Sequence, residues 1–491
     1  MTSFPAFAKD SGRSFYTLFL GSLFATPLFL AACWAPARFS EKELEIPLPK
    51  NFVSDVAKNQ TSPLWEGQRW WESISSTELN KLIEEGLKGS HSLKAAARRI
   101  EAARAQAEAS GASLYPQVSA GLSANRSKQI FVGFPIPGRS GPLSSRSNSY
   151  GLSLNLSWEL DLWGKVSAST RSAVLQAKRS EELYQGAALS LSGQIAKAWF
   201  ALLGATEQEA LAKRTLETDQ QILSFIQNRY RSGKNRFVDV QLAREREKNS
   251  ETTLARSKRL VAVTARQLEY LLGKPPKGVL PKTRKLPPLP PAPPAGMPAS
   301  LLDRRPDLRA ARLELLSRKE LHKASKASLY PSLSLTTSGG TRSNQFKDLI
   351  DGDFSVWSLA GNLLQPIFMG GSLRAQVRAN DALARASLQD FADLVLRALL
   401  EVEQSLSNEQ HLRREYEAGS SWVAAAKASE FTTRDRYRNG RATILETLNA
   451  KKALYQAQSA LVTVRRNLLQ NRVDLCLAMG GRLEGTKVSK R

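Results

Sequence analysis

Basic side chains crowd two short segments far apart in the chain. The basic residues of these segments are Arg229, Arg231, Lys234 and Arg236 in the first, and Arg434, Arg436, Arg438 and Arg441 in the second. Carboxylates lie among them at Asp239, Asp435 and Glu446. Because guanidinium groups form strong, oriented hydrogen bonds with carboxylates, the two segments predict an ionic latch between neighbouring helices.

Residues suited to catalysis or metal binding are scarce. The three histidines, His91, His322 and His411, lie in charged helical patterns without the spacing of metal ligands. The sequence contains no phosphate-binding glycine loop, nucleophile elbow or HExxH motif. We therefore expect a protein that is not an enzyme and has no metal or cofactor site.

The second basic segment repeats the first. Residues 228–233 (Asn-Arg-Tyr-Arg-Ser-Gly) return as 435–440 (Asp-Arg-Tyr-Arg-Asn-Gly), 207 residues later. Tyr230 and Gly233 thus correspond to Tyr437 and Gly440. Upstream, residues 112–116 return as 327–331, so the first copy carries eight extra residues in between. Such a repeat predicts two structurally equivalent halves.

Each half predicts one very long helix. No proline occurs between Gly164 and Pro275, or after Gly371. Helices over 165–231 and 372–438 would each span on the order of 100 Å. Shorter helices at 90–113 and 237–272 would stack end to end beside the first, and those at 306–328 and 442–479 beside the second.

The surface of the last helix is informative about its neighbours. Its apolar residues follow a seven-residue spacing with one polar interruption at Asn471, and a second apolar column runs alongside. Such a wide apolar face suits a helix with neighbours on both sides, as in a curved wall. An ordinary bundle core fits the pattern about equally well.

A strand is indicated where residues alternate strictly between apolar and polar. Its apolar face consists of Leu152, Leu154, Leu156, Trp158 and Leu160. We expect this face to contact membrane lipid, with Trp158 and Trp163 in an interfacial aromatic belt. Weaker strand patterns cover 115–124, 329–339 and 354–368.

Four strands do not close a barrel around a pore, since single-chain barrels begin at eight. Copies of the chain would have to pool their strands in a cyclic oligomer, eight in a dimer or twelve in a trimer. The alternative is a small soluble sheet with one solvated face.

The N-terminus resembles an export signal. Lys9 and Arg13 precede an apolar run and the sequence Leu-Ala-Ala-Cys at 30–33, which predicts a signal peptide over 1–32. The alternative is a retained membrane helix. In a cytosolic protein, the net charge of +25 would suggest binding to nucleic acid. Export argues against nucleic acid as a partner, and solvated helix faces explain the charge.

These features divide the chain into six segments. The signal peptide is followed by an N-terminal extension at 33–75 and the first repeat at 76–274. A proline-rich linker at 275–298 leads to the second repeat at 299–480, and a tail covers 481–491.

The order of these motifs resembles the TolC-like outer membrane factors, and most closely their NodT-type lipoprotein branch. The resemblance rests on the sequence ending at Cys33, the duplication, the strands preceding long helices, and residues 436–440 followed by Ile-Leu-Glu-Thr-Leu-Asn-Ala at 444–450. Leu-Leu-Asp-Arg-Arg-Pro-Asp-Leu at 301–308 resembles the entry of that branch into its second repeat.

The resemblance implies an α+β, mainly α fold. Duplicated long helices would form a periplasmic α-barrel, and four strands per chain would join a trimeric, 12-stranded outer-membrane β-barrel. It also implies a covalent lipid, including palmitate, on Cys33. Trp34 stands where aspartate would signal retention in the inner membrane, so a Gram-negative outer membrane location with a periplasmic extension is expected.

The resemblance further implies a closed periplasmic aperture formed by residues after the second repeated turn. Glu446 matches an acidic ring position, Asn449 occupies the second such position without its charge, and Leu445 matches an apolar constriction. The alternative for Glu446 is a carboxylate that favours the helix start. For Gly233 and Gly440, turn formation alone is an equally good explanation.

The function implied is a passive exit duct for drugs, dyes or metals. Its partners would be two further copies, outer-membrane lipid, a periplasmic adaptor (membrane fusion protein) and an inner-membrane pump of the resistance-nodulation-division type. Adaptor docking would exchange the ion pairs of the latch. The alternatives are a type I protein secretion channel and a structural periplasmic coiled-coil lipoprotein.

Overall fold

The computed structural model describes residues 69–132, 143–279, 283, 285–289 and 301–481. The chain divides into two units, Met1–Pro47 and Leu48–Arg491, and all described residues belong to the second. The predicted signal peptide, Cys33, most of the extension, much of the linker and the tail after Gly481 lie outside the described residues.

The described residues form eight α-helices and one four-stranded sheet. The helices are α1 (Thr77–Gly89), α2 (His91–Ala112), α3 (Lys165–Arg231), α4 (Phe237–Leu271), α5 (Leu301–Arg304), α6 (Pro306–Ala327), α7 (Ser372–Arg438) and α8 (Ile444–Ala478). The strands are β1 (Gln117–Phe131), β2 (Leu143–Leu160), β3 (Ser332–Ser343) and β4 (Ser355–Leu364). The two long helices, α3 and α7, have 67 residues each, as predicted.

The long helices form the framework of a wall of parallel columns. Helix α3 packs against α2 and α4 on one side and against α6 and α8 on the other, and α7 packs against α6 and α8. Helix α8 therefore has neighbours in both α3 and α7, as the curved-wall interpretation predicts. Among the described residues, no helix combines the length and apolar composition needed to cross a bilayer.

The short helices of each pair meet end to end, as predicted, and glycines allow the close approach. Gly273 has a φ of +74°, and a Cβ on it would lie 2.7 Å from the carbonyl oxygen of Gly89. Gly480 has a φ of +75°, and its Cβ would lie 2.9 Å from the carbonyl carbon of Arg304. Both junctions thus need a residue without a side chain.

The densest core surrounds the middle of α3. Its fully or almost fully buried side chains are Ile195, Trp199, Phe200, Leu202 and Leu203. Helix α1 and a 3₁₀-helix at Trp70–Ile74 cover this region, and the indole N–H of Trp70 donates to the hydroxyl of Ser192 at 3.1 Å. The sequence analysis did not predict α1. Residues 70–74 belong to this packed core rather than to a separate extension.

The polar interruption in α8 is satisfied by α7. The amide of Asn471 donates to the backbone carbonyl of Ser405 at 2.9 Å and to the carboxylate of Glu409 at 3.3 Å. Arg472 donates to the same carboxylate at 2.6 Å. One turn further along α8, burial raises the pKa of the Cys476 thiol to about 12. The buried carboxylate of Glu409 is thus paired with both polar side chains of α8, as burial requires.

The sheet is antiparallel in the order β1-β2-β3-β4. Its registers place Leu122 opposite Leu152, Leu154 opposite Gly339, and Leu335 opposite Gly361. Because side chains alternate between faces, these registers collect the apolar residues on one face. That face comprises Val118, Leu122, Leu152, Leu154, Leu156, Trp158, Leu160, Leu333, Leu335, Trp357, Leu359 and Leu363.

The strand boundaries differ from the predicted ones. Strand β2 begins at Leu143 rather than at Gly151, because the serine-rich residues before Gly151 pair with β1 although they do not alternate. Strand β4 ends at Leu364, before Pro366, whose ring removes the donor that the ladder needs. Strand β3 begins at Ser332, directly after Pro331.

Adjacent glycines on β3 provide a test of this sheet. A Cβ on Gly340 would overlap the carbonyl oxygen of Leu152 and lie 2.9 Å from its carbonyl carbon, whereas Gly339 has no neighbour within 4 Å. We expect Gly340→Ala to destabilise the β2–β3 pairing by about 1–3 kcal/mol or more, since backbone must move.

The melting temperature and heat-modifiable gel migration of the purified protein measure this effect. Gly339→Ala is the matched control and should behave as the wild type. Equal losses for the two variants would contradict the register.

Candidate functional site

Both repeats end their long helix with the same turn. Gly233 and Gly440 have φ values of +72° and +71°. In each turn the glycine N–H donates to the carbonyl of the tyrosine three residues earlier, at 2.9 and 3.0 Å, and the next N–H donates to a carbonyl five residues earlier at 2.8 Å. A Cβ on either glycine would meet nothing within 4 Å. Backbone conformation alone therefore explains these glycines.

A small apolar core ties the two turns together. Its buried members are Ile226, Val240 and Ala243 from the first hairpin, and Tyr437, Ile444 and Leu448 from the second. We call this cluster the tip core. Because it takes residues from both repeats, neither hairpin can move far at this end without exposing apolar surface.

A polar network crosses the tip core. The side-chain amide of Asn235 donates to the hydroxyl of Tyr437 and to the carboxylate of Asp239, both at 3.2 Å. The guanidinium of Arg229 donates to the amide oxygen of Asn235 at 2.8 Å and lies 5.8 Å from the Tyr437 ring centroid. The structure thus brings Asp239 and Tyr437 together through Asn235, which the sequence analysis did not single out.

The predicted aperture residues share one exposed face of the first two turns of α8. Leu445 is 51% exposed, and Glu446 and Asn449 are also exposed. The Glu446 carboxylate accepts the Thr443 N–H at 3.1 Å, and the Glu446 N–H donates to the Thr443 hydroxyl at 3.2 Å. Glu446 therefore has a capping role. A ring of these residues around a pore stays a prediction.

The other latch residues form local contacts within the described chain. Arg236 lies 3.7 Å from Asp239 in the same turn, and Asp435 accepts from Asn439 at 3.4 Å. Tyr230 packs against Phe237 with ring centroids 5.9 Å apart. Among the described residues, no ion pair joins one hairpin to the other at these turns. The latch between neighbouring helices, with Arg436 and Arg441 among its candidates, stays a prediction.

A buried charged cluster lies further up the same helices. The fully buried carboxylate of Asp219 accepts from the Ser250 hydroxyl and lies 3.7 Å from Nε of Arg246 and 3.8 Å from Nζ of Lys451. Burial lowers the pKa of Lys451, although Asp219 and Glu430 oppose this shift. The cluster joins α3 and α4 to α8. The sequence analysis did not single out any of these residues.

The membrane-facing prediction concerns the opposite end of the long helices. Leu152 and Leu154 are exposed, while Leu156, Trp158 and Leu160 are half-buried. The indole N–H of Trp158 donates to the Leu114 carbonyl at 3.0 Å, where the sheet meets α2. Lipid contact by this face stays a prediction.

The combination of a half-apolar sheet and a wall of long helices with a closely tied tip is the architecture of an outer-membrane exit duct. The family described as "Outer membrane efflux protein" matches residues 82–274 and 297–481. The chain belongs to this family, and the predicted resemblance is confirmed.

Individual relatives support the same conclusion. The pyoverdine export outer membrane protein OpmQ of Pseudomonas putida is 30% identical, with 92% of this chain and 95% of the relative covered. The toluene efflux pump outer membrane protein TtgC of Pseudomonas putida is 28% identical, with 84% and 85% covered.

A solved structure extends the likeness to three dimensions. The outer-membrane channel OprN superposes with a TM-score of 0.81 at 25% identity, covering 89% of this chain and 97% of that chain. The predicted fold class is thereby confirmed: helices belong to a periplasmic barrel and strands to an outer-membrane barrel.

The tyrosines of the two turns provide a matched test of the tip. We expect Tyr437→Phe to remove the hydrogen bond from Asn235, to weaken the contact between the hairpins by about 0.5–1.5 kcal/mol, and to raise resting conductance in planar bilayers. Tyr230→Phe changes the equivalent residue of the first repeat, whose ring is 43% exposed, and should leave conductance unchanged. Unaltered conductance in Tyr437→Phe would count against the network.

Proposed function

We propose that three copies of this chain form the outer-membrane exit duct of a tripartite pump that expels small molecules. The observation that carries the proposal is the sheet. It is apolar on one face, and within the described residues its two edge strands, β1 and β4, each lack a partner on their outer side. The helical wall below it would continue the duct into the periplasm.

The sheet edges support an oligomer. Within the described part of the chain, β1 pairs only with β2, and β4 only with β3. Unpaired backbone groups at the edge of a sheet are costly in lipid, so β4 of one copy would pair with β1 of the next. Two copies would supply eight strands and three would supply twelve; membership of the family favours three.

The exposed side chains of α7 support the same assembly. The helix exposes large apolar side chains along its length, namely Leu383, Leu396, Leu400, Trp422 and Phe431, which are 45–62% exposed. Contact with a neighbouring copy would remove apolar surface from water. In a ring of copies this edge of the wall would meet the α2 and α4 edge of the neighbour.

The tip also offers a surface to a periplasmic adaptor. Phe225, Phe237 and Val238 are 45–58% exposed beside the first turn. Aromatic and aliphatic anchors surrounded by charged residues are typical of protein interfaces. We propose that the adaptor binds here and joins the duct to an inner-membrane pump of the resistance-nodulation-division type. That pump would supply the energy for transport.

The relatives favour small-molecule cargo over secreted proteins. One is named for pyoverdine export and another for toluene efflux, so we propose small molecules as the substrates of this chain. A covalent lipid on Cys33 would anchor each copy to the outer membrane. The chain itself would conduct passively, with no catalytic step.

A deletion strain tests this function. We expect loss of the gene to raise the cellular accumulation of a panel of dyes and organic solvents, because their exit route is removed, and wild-type protein to restore efflux. Secretion of proteins should not change. Reduced protein secretion with normal dye accumulation would favour a type I channel instead, and neither defect would favour a structural lipoprotein.

The aperture prediction has its own test in planar bilayers. Glu446→Gln removes the charge but keeps the capping geometry, since glutamine also serves in a capping box. We expect reduced cation selectivity, measured as a shift of the reversal potential in a salt gradient. Asn449→Asp, which adds a carboxylate on the same face, should increase cation selectivity. If both variants had the reversal potential of the wild type, these residues would not line the pore.

A further inference from the structure

The first strand hairpin has an unusual charge composition. Residues 113–158 contain four basic residues, Arg126, Lys128, Arg139 and Arg146, and no aspartate or glutamate. The second hairpin differs, since residues 332–364 contain two basic and three acidic residues. Arg139 lies outside the described residues, and the other three basic residues lie on β1 and β2.

The register places these three cations on the apolar side of the sheet. Arg126 and Lys128 share the face of Leu122 on β1, and Arg146 shares the face of Leu152 on β2, because side chains an even number of residues apart point the same way. Lys128 lies directly opposite Arg146. We call these three residues the basic cluster.

Like charges directly opposite each other destabilise a sheet. All three side chains are exposed, and within the described chain none forms an ion pair or a side-chain hydrogen bond. An anion from outside this hairpin would relieve that repulsion.

The position of the basic cluster along the strands indicates which part of the membrane surrounds it. The apolar residues from Leu160 to Leu152 cover about 26 Å of strand, close to the height of an outer-membrane apolar band. Beyond them Tyr150 packs edge-on against Phe346, with centroids 5.8 Å apart, as in an interfacial aromatic belt. The basic cluster follows at the end of the strands remote from the periplasmic helices. It would thus lie at headgroup level in the outer leaflet.

We propose that the basic cluster binds the phosphate groups of a phosphorylated glycolipid in the outer leaflet of the outer membrane. Arginine presents a planar fork of donors that matches phosphate, and lysine adds a compact charge. The side chain of Asn148, opposite Arg126 on the same face, could donate to the sugar. This inference goes beyond transport and does not depend on which substrate the duct carries.

Other anions fit the surroundings less well. A soluble polyanion would have to reach a face that continues directly into the apolar band. The carboxylates of Asp351 and Asp353 on a neighbouring copy are the protein alternative, and the experiment includes them.

The experiment measures binding of bisphosphorylated lipid A to the full-length, detergent-purified protein by native mass spectrometry. We expect the triple variant Arg126→Gln, Lys128→Gln, Arg146→Gln to bind on the order of tenfold to a hundredfold more weakly. Arg342→Gln is the matched control: it removes one cation from the same end of the sheet, but on the opposite face, and should bind as the wild type. Lys128→Arg should retain binding.

Three further measurements distinguish the possible sources of the anion. Dephosphorylated lipid A and free pyrophosphate should each bind much more weakly than the bisphosphorylated lipid. Asp351→Asn with Asp353→Asn should leave the affinity unchanged. Heat-modifiable migration of each variant verifies folding, and dye efflux by the same variants reports on the duct separately.

Several results would overturn the proposal. These are equal binding by the triple variant and the wild type, equal binding of the dephosphorylated lipid, or binding of pyrophosphate as tight as that of the lipid. Lipid binding that emerges only after the two aspartates are replaced would show that neighbouring carboxylates already neutralise the cluster.

Discussion

Backbone N–H and C=O groups within a lipid bilayer must find hydrogen-bond partners inside the protein, and the rest of this structure depends on that requirement. A four-stranded sheet with an apolar face meets it only when both edges are paired by further strands. Each strand pair leads directly into a long helix, β2 into α3 and β4 into α7. Closing the sheet into a ring would therefore also set the angular spacing of the helical columns, so that one constraint shapes both halves of the duct.

The duplication is symmetrical in the helices and unequal in the strands. Helices α3 and α7 have the same length and end in the same turn, whereas β1 and β2 have 15 and 18 residues and β3 and β4 have 12 and 10. The eight extra residues of the first copy lie in the β1–β2 hairpin. This hairpin extends beyond the aromatic pair of Tyr150 and Phe346, and the basic cluster lies in the extended part. The length difference is thus tied to a difference in surface chemistry between the two hairpins.

Local signals made the long elements predictable. Gly164 and Gly233 mark the two ends of α3, and the alternation from Leu152 to Leu160 predicts the apolar face of β2. Both signals depend on residues close in sequence. Helix α1 was missed although local signals were present: the Ser76 hydroxyl caps its start by accepting the Leu79 N–H, and Leu79 and Ile83 recur at helical spacing on its buried face. Asn235 was missed because a lone asparagine near a turn gives no sign that its partner, Tyr437, lies 202 residues away.

The tip illustrates how a predicted interaction and an observed one can differ in kind. An ionic latch would weaken with salt and respond to the protonation of its carboxylates. The contact that joins the hairpins at the tip within one chain is instead an amide-to-phenol hydrogen bond set in an apolar cluster. Separating the hairpins therefore requires exposure of the tip core to water. A partner that covers Phe225, Phe237 and Val238 could offset that exposure with its own apolar surface, which favours opening by docking.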